Sequence, residues 1–318
     1  MRRTPFLALA VWAVLAACGS PATSTTAPPA TTTTTATPTT TVAAGFPVTI
    51  ETATGPVTIA NEPKTIVSLS ATATEMLFAI EAGDQVVAVD EFSDYPAEAP
   101  TTDLSGFTPN VEAIASYAPD LVVISFDPEG LAASLTSLGI PVIHHDAAKT
   151  LDDTYTQIEQ LGAATGHVAE AAAVVGEMQT AIDDVVESLP APSADLTFYH
   201  ELDETLVSAT SATFIGQLYS LLGLVNIADG SDPDGFGYPQ LSAEVVLDAD
   251  PDFIFLADTL CCGQNAATVA ARPGWETLQA VVEGHVIELD DAVASRWGPR
   301  VVEFLETVGG AVASVPAA

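Results

Sequence analysis

The chain has 318 residues, and its 42 Asp and Glu against 7 Lys and Arg give a formal net charge of −35 at pH 7. Such a balance excludes a nucleic-acid partner, because phosphates need Lys and Arg to bind them. The acidic charge favours a solubilising surface over acid-specific binding. The length that remains after a leader suits two ordinary domains.

Residues 1–18 have the order of a bacterial export signal. Arg2 and Arg3 precede the apolar run Phe6–Leu15, which is too short to span a bilayer. The sequence Leu-Ala-Ala-Cys then resembles the lipobox of bacterial lipoproteins, in which the cysteine becomes the acylated N-terminus. An ordinary secretory leader with a chance cysteine is the alternative. We predict lipidation of Cys18, so that the lipid anchor alone holds the chain on the outer face of the cell membrane.

Residues 19–45 consist mostly of Thr, Pro, Ala and Ser. They contain too few large apolar side chains to form a core, and we predict a disordered tether.

Residues 46–150 are predicted to form an N-terminal α/β lobe. Two short β-branched runs around Thr54-Gly55-Pro56 indicate a hairpin. Beyond it strands alternate with helices, a pattern typical of a mostly parallel sheet. A long polar loop is expected to end at Asp103. The predicted strands of this sheet are Ile66–Leu69, Val86–Val89, Leu121–Ser125 and Val142–His144.

Residues 151–190 are predicted to be connecting helices, of which the second, His167–Ser188, is the longest in the chain. Its apolar residues step by three and four and form one stripe. They are Val168, Ala171, Val175, Met178, Ile182 and Val185. At 1.5 Å per residue this helix spans roughly 33 Å, which is enough to connect two lobes.

Residues 191–318 repeat the alternation and are predicted to form the C-terminal α/β lobe. Its predicted strands include Leu206–Ala209. The segment Asn110–Ile124 resembles Ser242–Leu256, since in both a glutamate stands seven residues before Pro-Asp and an apolar strand follows. The predicted fold class is therefore α/β, with two Rossmann-like lobes joined by a single long helix. A cleft between the lobes is the expected ligand site.

Enzyme motifs are missing from the sequence. It has no phosphate-binding glycine loop after a strand and no nucleophile elbow. His144 and His145 stand beside Asp146, and a metal-dependent surface hydrolase built on them is the competing hypothesis. Their spacing matches no metal signature. We therefore predict no catalytic residue and no metal site.

Cys261 and Cys262 are the only cysteines after Cys18. In an oxidising compartment they can close a vicinal disulfide. Two free thiols that bind a soft metal are the alternative. We favour the disulfide.

Four segments carry a resemblance to a known family: Thr65–Ala79, Val86–Pro96, Tyr238–Leu247 and Arg296–Arg300. Together they resemble the periplasmic-binding proteins of bacterial ABC importers for cobalamin, ferric siderophores and haem. The resemblance covers roughly Pro63 to Val312, and the last three segments are similar to the cobalamin-binding branch.

The resemblance implies a monomeric extracytoplasmic solute-binding protein that catalyses nothing and has no cofactor. Its ligand would be a small-molecule metal chelate, which it would deliver to an ABC permease with ATPase subunits. A corrinoid is the favoured ligand, because few basic residues are available to bind an anionic siderophore. A ferric siderophore or haem is the alternative.

The resemblance also assigns residues. It implies that Glu75 and Glu244 dock against arginines of the permease, one on the outer face of each lobe. Aromatic side chains suit a flat, largely apolar macrocycle. The expected cleft residues are therefore Phe92, Phe107, Phe126, Tyr238 and Trp297, with Arg296 and His200 as polar contacts.

Overall fold

The computed structural model describes residues 45–189 and 195–315. The predicted signal peptide, the lipidation site Cys18 and nearly all of the predicted tether lie outside the described residues. Within the described ranges, no helix combines the length and the apolar character that crossing a membrane requires.

The first lobe begins with an antiparallel hairpin, β1 (Val48–Ile50) and β2 (Val57–Ile59). A parallel five-stranded sheet follows, in the spatial order β5-β4-β3-β6-β7. Its strands are β3 (Ile66–Leu69), β4 (Val86–Asp90), β5 (Thr101–Leu104), β6 (Leu121–Ile124) and β7 (Val142–His144). Its helices are α1 (Ala71–Ala79), α2 (Val111–Ala115) and α3 (Leu131–Ser137).

Two helices connect the lobes, α4 (Leu151–Thr165) and α5 (Val168–Ser188). Helix α5 packs against α4 and against the last helix of the second lobe, and it buries the middle of its apolar stripe in a core shared by both lobes. Glycines allow this close packing. A methyl group at Gly162 would overlap Ala171, and one at Gly309 would lie 2.9 Å from a methyl carbon of Val185. The long helix is thus clamped on both sides.

The second lobe has a parallel four-stranded sheet in the order β11-β10-β8-β9. Its strands are β8 (Thr197–Glu201), β9 (Val225–Asn226), β10 (Phe253–Leu256) and β11 (Val286–Glu288). Its helices are α6 (Phe214–Leu221), α7 (Ala243–Ala249), α8 (Thr259–Cys262), α9 (Ala266–Ala270), α10 (Gln279–Glu283), α11 (Asp291–Ser295) and α12 (Val301–Ser314).

The two lobes share a pair of reciprocal aspartate–threonine hydrogen bonds at the start of their central strands. In the first, the carboxylate of Asp120 accepts a hydrogen bond from the amide of Thr65, at 3.2 Å. In the second, the carboxylate of Asp252 accepts one from the amide of Thr197, at 2.7 Å. Each threonine hydroxyl accepts a bond from the amide of its aspartate in return. The sequence repeat is therefore also a structural repeat.

The α/β class and the two-lobed architecture joined by a long helix are confirmed. Two local predictions are wrong. The polar loop contains an edge strand, β5, whose mostly solvent-facing side chains concealed it. The predicted strand Leu206–Ala209 makes only one isolated bridge, between Val207 and Gln240.

Candidate ligand cleft

A cavity of about 380 Å³ lies between the lobes. The first-lobe residues that line it stand at or just beyond the carboxyl ends of parallel strands, where open α/β sheets bind ligands. Its lining residues include Ser70, Asp90, Phe92, Phe107, Ser125 and Phe126 from the first lobe, and Ser295, Arg296 and Trp297 from the second. A larger cavity of about 500 Å³ beside the hairpin is lined by the first lobe alone.

Three phenyl rings form one wall of the cavity. The ring centroids of Phe92 and Phe107 are 5.7 Å apart, and those of Phe107 and Phe126 are 6.2 Å apart. All three side chains are more than half exposed, at 52 %, 64 % and 54 %. The structure thus brings together three residues that the sequence places far apart. Exposed rings in one row offer a broad apolar surface to a flat ligand.

The first-lobe lining also includes the polar residues Ser70, Thr72, Asp90 and Ser125, which sequence reasoning missed. The hydroxyl oxygens of Ser70 and Ser125 lie 2.5 Å apart. Asp90 is buried and accepts a hydrogen bond from the hydroxyl of Ser93 at 2.7 Å. Burial raises the pKa of Asp90, although the hydrogen bond from Ser93 opposes it. Their positions at the ends of predicted strands could have indicated that these polar residues line the cleft.

The second lobe reaches the cavity through Arg296 and Trp297, and both are held by the other side of the molecule. Arg296 donates to the carboxylate of Glu75 at 2.8 Å, to the carbonyl of Phe92 at 2.9 Å and to Asp94 at 2.9 Å. The indole of Trp297 donates to the side-chain carbonyl of Gln157 on α4, at 2.9 Å. Arg296 therefore joins the two lobes, and Trp297 ties the second lobe to the connecting helix α4.

The expectation that Glu75 lies on the outer face is wrong. Glu75 is only 3 % exposed, and its carboxylate also accepts two hydrogen bonds from Arg300, at 2.6 and 3.0 Å. These bonds, with the pair to Arg296, place Glu75 between the lobes. A carboxylate so enclosed is not offered to a partner protein.

His200 is also misassigned as a ligand contact. It lies on β8 with no exposed surface, and its Nδ1 is 2.8 Å from the hydroxyl of Tyr219 in the second-lobe core. Burial lowers the pKa of His200 to about 3, so the ring is neutral. Tyr238 is 40 % exposed on the loop after β9, where its ring lies 5.9 Å from that of Phe236. It is not among the residues that line the cavity.

Residues 66–293 match the family model described as "Periplasmic binding protein". This chain belongs to the periplasmic binding protein family.

Named relatives agree with that membership. The uncharacterized ABC transporter substrate-binding lipoprotein YvrC of Bacillus subtilis is 30 % identical over 260 residues, which cover 79 % of this chain and 80 % of YvrC. A cobalamin-binding protein of Halobacterium salinarum is 30 % identical over 260 residues, covering 79 % of this chain and 70 % of that protein. The crystal structure of the vitamin B12 binding protein BtuF of Vibrio cholerae aligns with a TM-score of 0.64 at 26 % identity. That alignment covers 79 % of this chain and 96 % of BtuF.

In this member of the family, Glu244 is exposed in the first turn of α7, whose N-cap is Ser242. The structural repeat matches it with Glu112, exposed in the first turn of α2, whose N-cap is Asn110. Both caps accept a hydrogen bond from a backbone amide of the helix. The sequence repeat already aligned Glu112 with Glu244, so the first-lobe residue at the position equivalent to Glu244 is Glu112 and not Glu75.

The histidine pair of the competing hypothesis lies at the end of β7, where both rings are largely buried. The Nε2 atom of His144 is 3.3 Å from the carboxylate of Asp146, and that of His145 is 2.8 Å from Gln160. Burial lowers the pKa of His145 to about 4. Over the two described ranges, no three His, Cys, Asp or Glu side chains are grouped to hold a metal ion.

In the structure, Cys261 and Cys262 are joined in a disulfide at the exposed end of α8. The loop continues through Gly263 in a left-handed conformation, with φ of 72°. The disulfide therefore lies just beyond the carboxyl end of β10.

Proposed function

We propose that this chain is a lipid-anchored, extracytoplasmic solute-binding protein of an ABC importer. It captures a corrinoid in the cleft between its lobes and delivers it to a permease with ATPase subunits, as a monomer and without catalysing a reaction. The row of Phe92, Phe107 and Phe126 carries this proposal, because three exposed rings beside a cavity suit a flat, largely apolar macrocycle.

The charges of the cleft support a weakly charged ligand. Beyond the leader the sequence has only three arginines, and in the described residues each is paired with a buried glutamate. Arg296, the one that lines the cavity, already donates to two carboxylates and a carbonyl. A highly anionic siderophore would have to compete for it. The cobalamin and vitamin B12 binding proteins among the relatives support the same choice.

Titration of the purified protein with cyanocobalamin, haemin and a ferric hydroxamate tests the ligand. We expect cyanocobalamin to bind most tightly and Phe107→Ala to weaken its binding by about tenfold, the loss expected for removing an aromatic contact. Tyr117→Ala is the matched control. Tyr117 is exposed, but it precedes β6 and therefore lies at the amino ends of the strands, away from the cavity. Absence of corrinoid binding at micromolar concentrations would contradict the proposal.

For docking, we propose Glu112 and Glu244 as the pair that meets arginines of the permease. They occupy equivalent first-turn positions on α2 and α7, and both are exposed. Exposed charge pairs mainly steer and orient association. Glu112→Arg with Glu244→Arg should leave ligand affinity intact and abolish uptake in cells. Uptake at the wild-type rate would rule the pair out.

A further inference from the structure

The disulfide belongs to an apolar surface that the cavity lining does not include. Leu260, immediately before it, is 73 % exposed, and both cysteines are exposed as well. We call Leu260, Cys261 and Cys262 the disulfide platform. Its two sulfur atoms are polarisable and apolar, so the platform is suited to contact with hydrocarbon or a conjugated ring.

The platform lies on the same edge of the second sheet as the cavity residues. It belongs to α8, which follows β10, whereas α11 follows the neighbouring parallel strand β11. Helix α11 packs against α8 and leads directly into Ser295–Trp297, the part of the second lobe that lines the cavity. Because parallel strands end at one edge, both helices begin on the side of the sheet that faces the cleft.

Hydrogen bonds hold the platform rigidly to α11. The carboxylate of Asp291 accepts bonds from the amides of Thr259, Leu260 and Cys261, at 2.8, 3.0 and 2.6 Å. The hydroxyl of Thr259 also donates to the carbonyl of Leu289, at 2.6 Å. The covalent bond between the sulfurs removes the side-chain freedom of both cysteines. A surface fixed in this way loses little conformational entropy when a ligand binds.

We propose that the disulfide platform is an additional contact surface for the ligand on the second lobe, next to the cavity residues Arg296 and Trp297. It would pack against an apolar face of the macrocyclic chelate while Phe92, Phe107 and Phe126 contact it from the first lobe. This inference rests on the proposed function and adds a residue set to it. The platform then adds aliphatic and sulfur contacts to the second-lobe wall, which already presents Arg296 and Trp297 to the cavity.

Two variants titrated with cyanocobalamin test the platform. Leu260→Ala should raise the Kd about tenfold, because the truncation removes most of an aliphatic contact. The double variant Cys261→Ser, Cys262→Ser should also raise the Kd several-fold, because it restores side-chain freedom and replaces sulfur by hydroxyl groups. Both variants alter exposed side chains, and their Tm values are measured alongside to verify folding.

Leu138→Ala is the matched control. Leu138 is 58 % exposed, but it precedes β7 and therefore lies at the amino ends of the first sheet's strands, away from the cavity. The Kd of this variant should equal that of the wild type. Wild-type affinity in both platform variants would overturn the platform and leave the proposed function standing. Failure of the wild-type protein to bind cyanocobalamin, haemin or a ferric hydroxamate would overturn both.

Discussion

Two buried clusters of arginine and carboxylate differ in what they connect. The inter-lobe cluster, Glu75 with Arg296 and Arg300, joins α1 of the first lobe to residues more than 200 positions away. The second-lobe cluster consists of Glu201, Arg272 and Asp258. There Arg272 makes two parallel hydrogen bonds of 2.5 Å to Glu201, and all three residues belong to one lobe.

The clusters also differ in their balance of charge. Two guanidinium groups share one carboxylate between the lobes, with Asp94 at the rim. In the second lobe the guanidinium of Arg272 pairs with Glu201, and Asp258, which has no exposed surface, is the second acid of this cluster. Among the described residues, neither oxygen of Asp258 has a hydrogen-bond partner. The inter-lobe cluster thus joins two lobes and has one buried acid for two arginines, whereas the second-lobe cluster lies within one lobe and has two buried acids for one arginine.

The largest effect is expected from breaking the inter-lobe cluster. Glu75→Gln leaves two arginines buried without their common counter-charge, which should lower the free energy of unfolding by about 3–5 kcal/mol. Urea denaturation measures this loss. The exposed Glu112→Gln is the control and should stay within about 0.5 kcal/mol of the wild type. If Glu75→Gln matched it, the apolar core alone would hold the lobes together.

The second buried acid predicts that the second-lobe cluster makes stability depend on pH. Burial raises the pKa of Asp258 to about 7, and the charge of Glu201 acts in the same direction. In the unfolded chain the pKa of an aspartate carboxyl is about 3.9. Between about pH 4 and pH 7 only the unfolded state loses this proton, so the contribution of Asp258 to stability is largest below that window and falls as pH rises.

Asp258→Asn should remove this dependence. The free energy of unfolding of the variant, minus that of the wild type, should rise from about pH 4 to pH 7 by at most about 1.4 kcal/mol per pH unit. Denaturation curves measured across this range give the difference directly. Asp94→Asn, in the other cluster's exposed rim, is the control. Parallel wild-type and Asp258→Asn profiles would mean that Asp258 is charged in the folded protein.

The smallest effect separates the roles of the clusters. Arg272→Lys keeps the charge but loses the paired hydrogen bonds to Glu201, which should cost about 1–2 kcal/mol of stability. Ligand affinity should not change, because Arg272 does not line the cavity. Arg300→Lys should cost a similar amount of stability and also weaken ligand binding, because it loosens the joint between the lobes. If Arg272→Lys and Arg300→Lys bound the ligand with equal affinity, the inter-lobe cluster would have no special role in ligand binding.

The fold was predictable because strands and helices alternate with clear apolar patterns. Phe92, Phe107 and Phe126 were predicted as cleft residues because aromatic rings suit a flat macrocycle, and they line one cavity because loops after parallel strands meet at one end of the sheet. His200 was not predictable in the same way. Both faces of a parallel strand are covered, so alternation along β8 does not show which side meets the ligand. Glu75 resembled an ordinary acid on a helix surface, because its partners Arg296 and Arg300 come near it only through tertiary structure.

The pairing of every arginine beyond the leader has a practical consequence for proteolysis. Of the five basic residues that the sequence places after Arg3, the structure leaves Lys64 and Lys149 well exposed. Trypsin cleaves after basic residues, so within residues 45–189 and 195–315 its accessible targets reduce to these two. One stands just before β3 and the other two residues before α4 begins. Trypsin would therefore cut this molecule at the two ends of its first sheet.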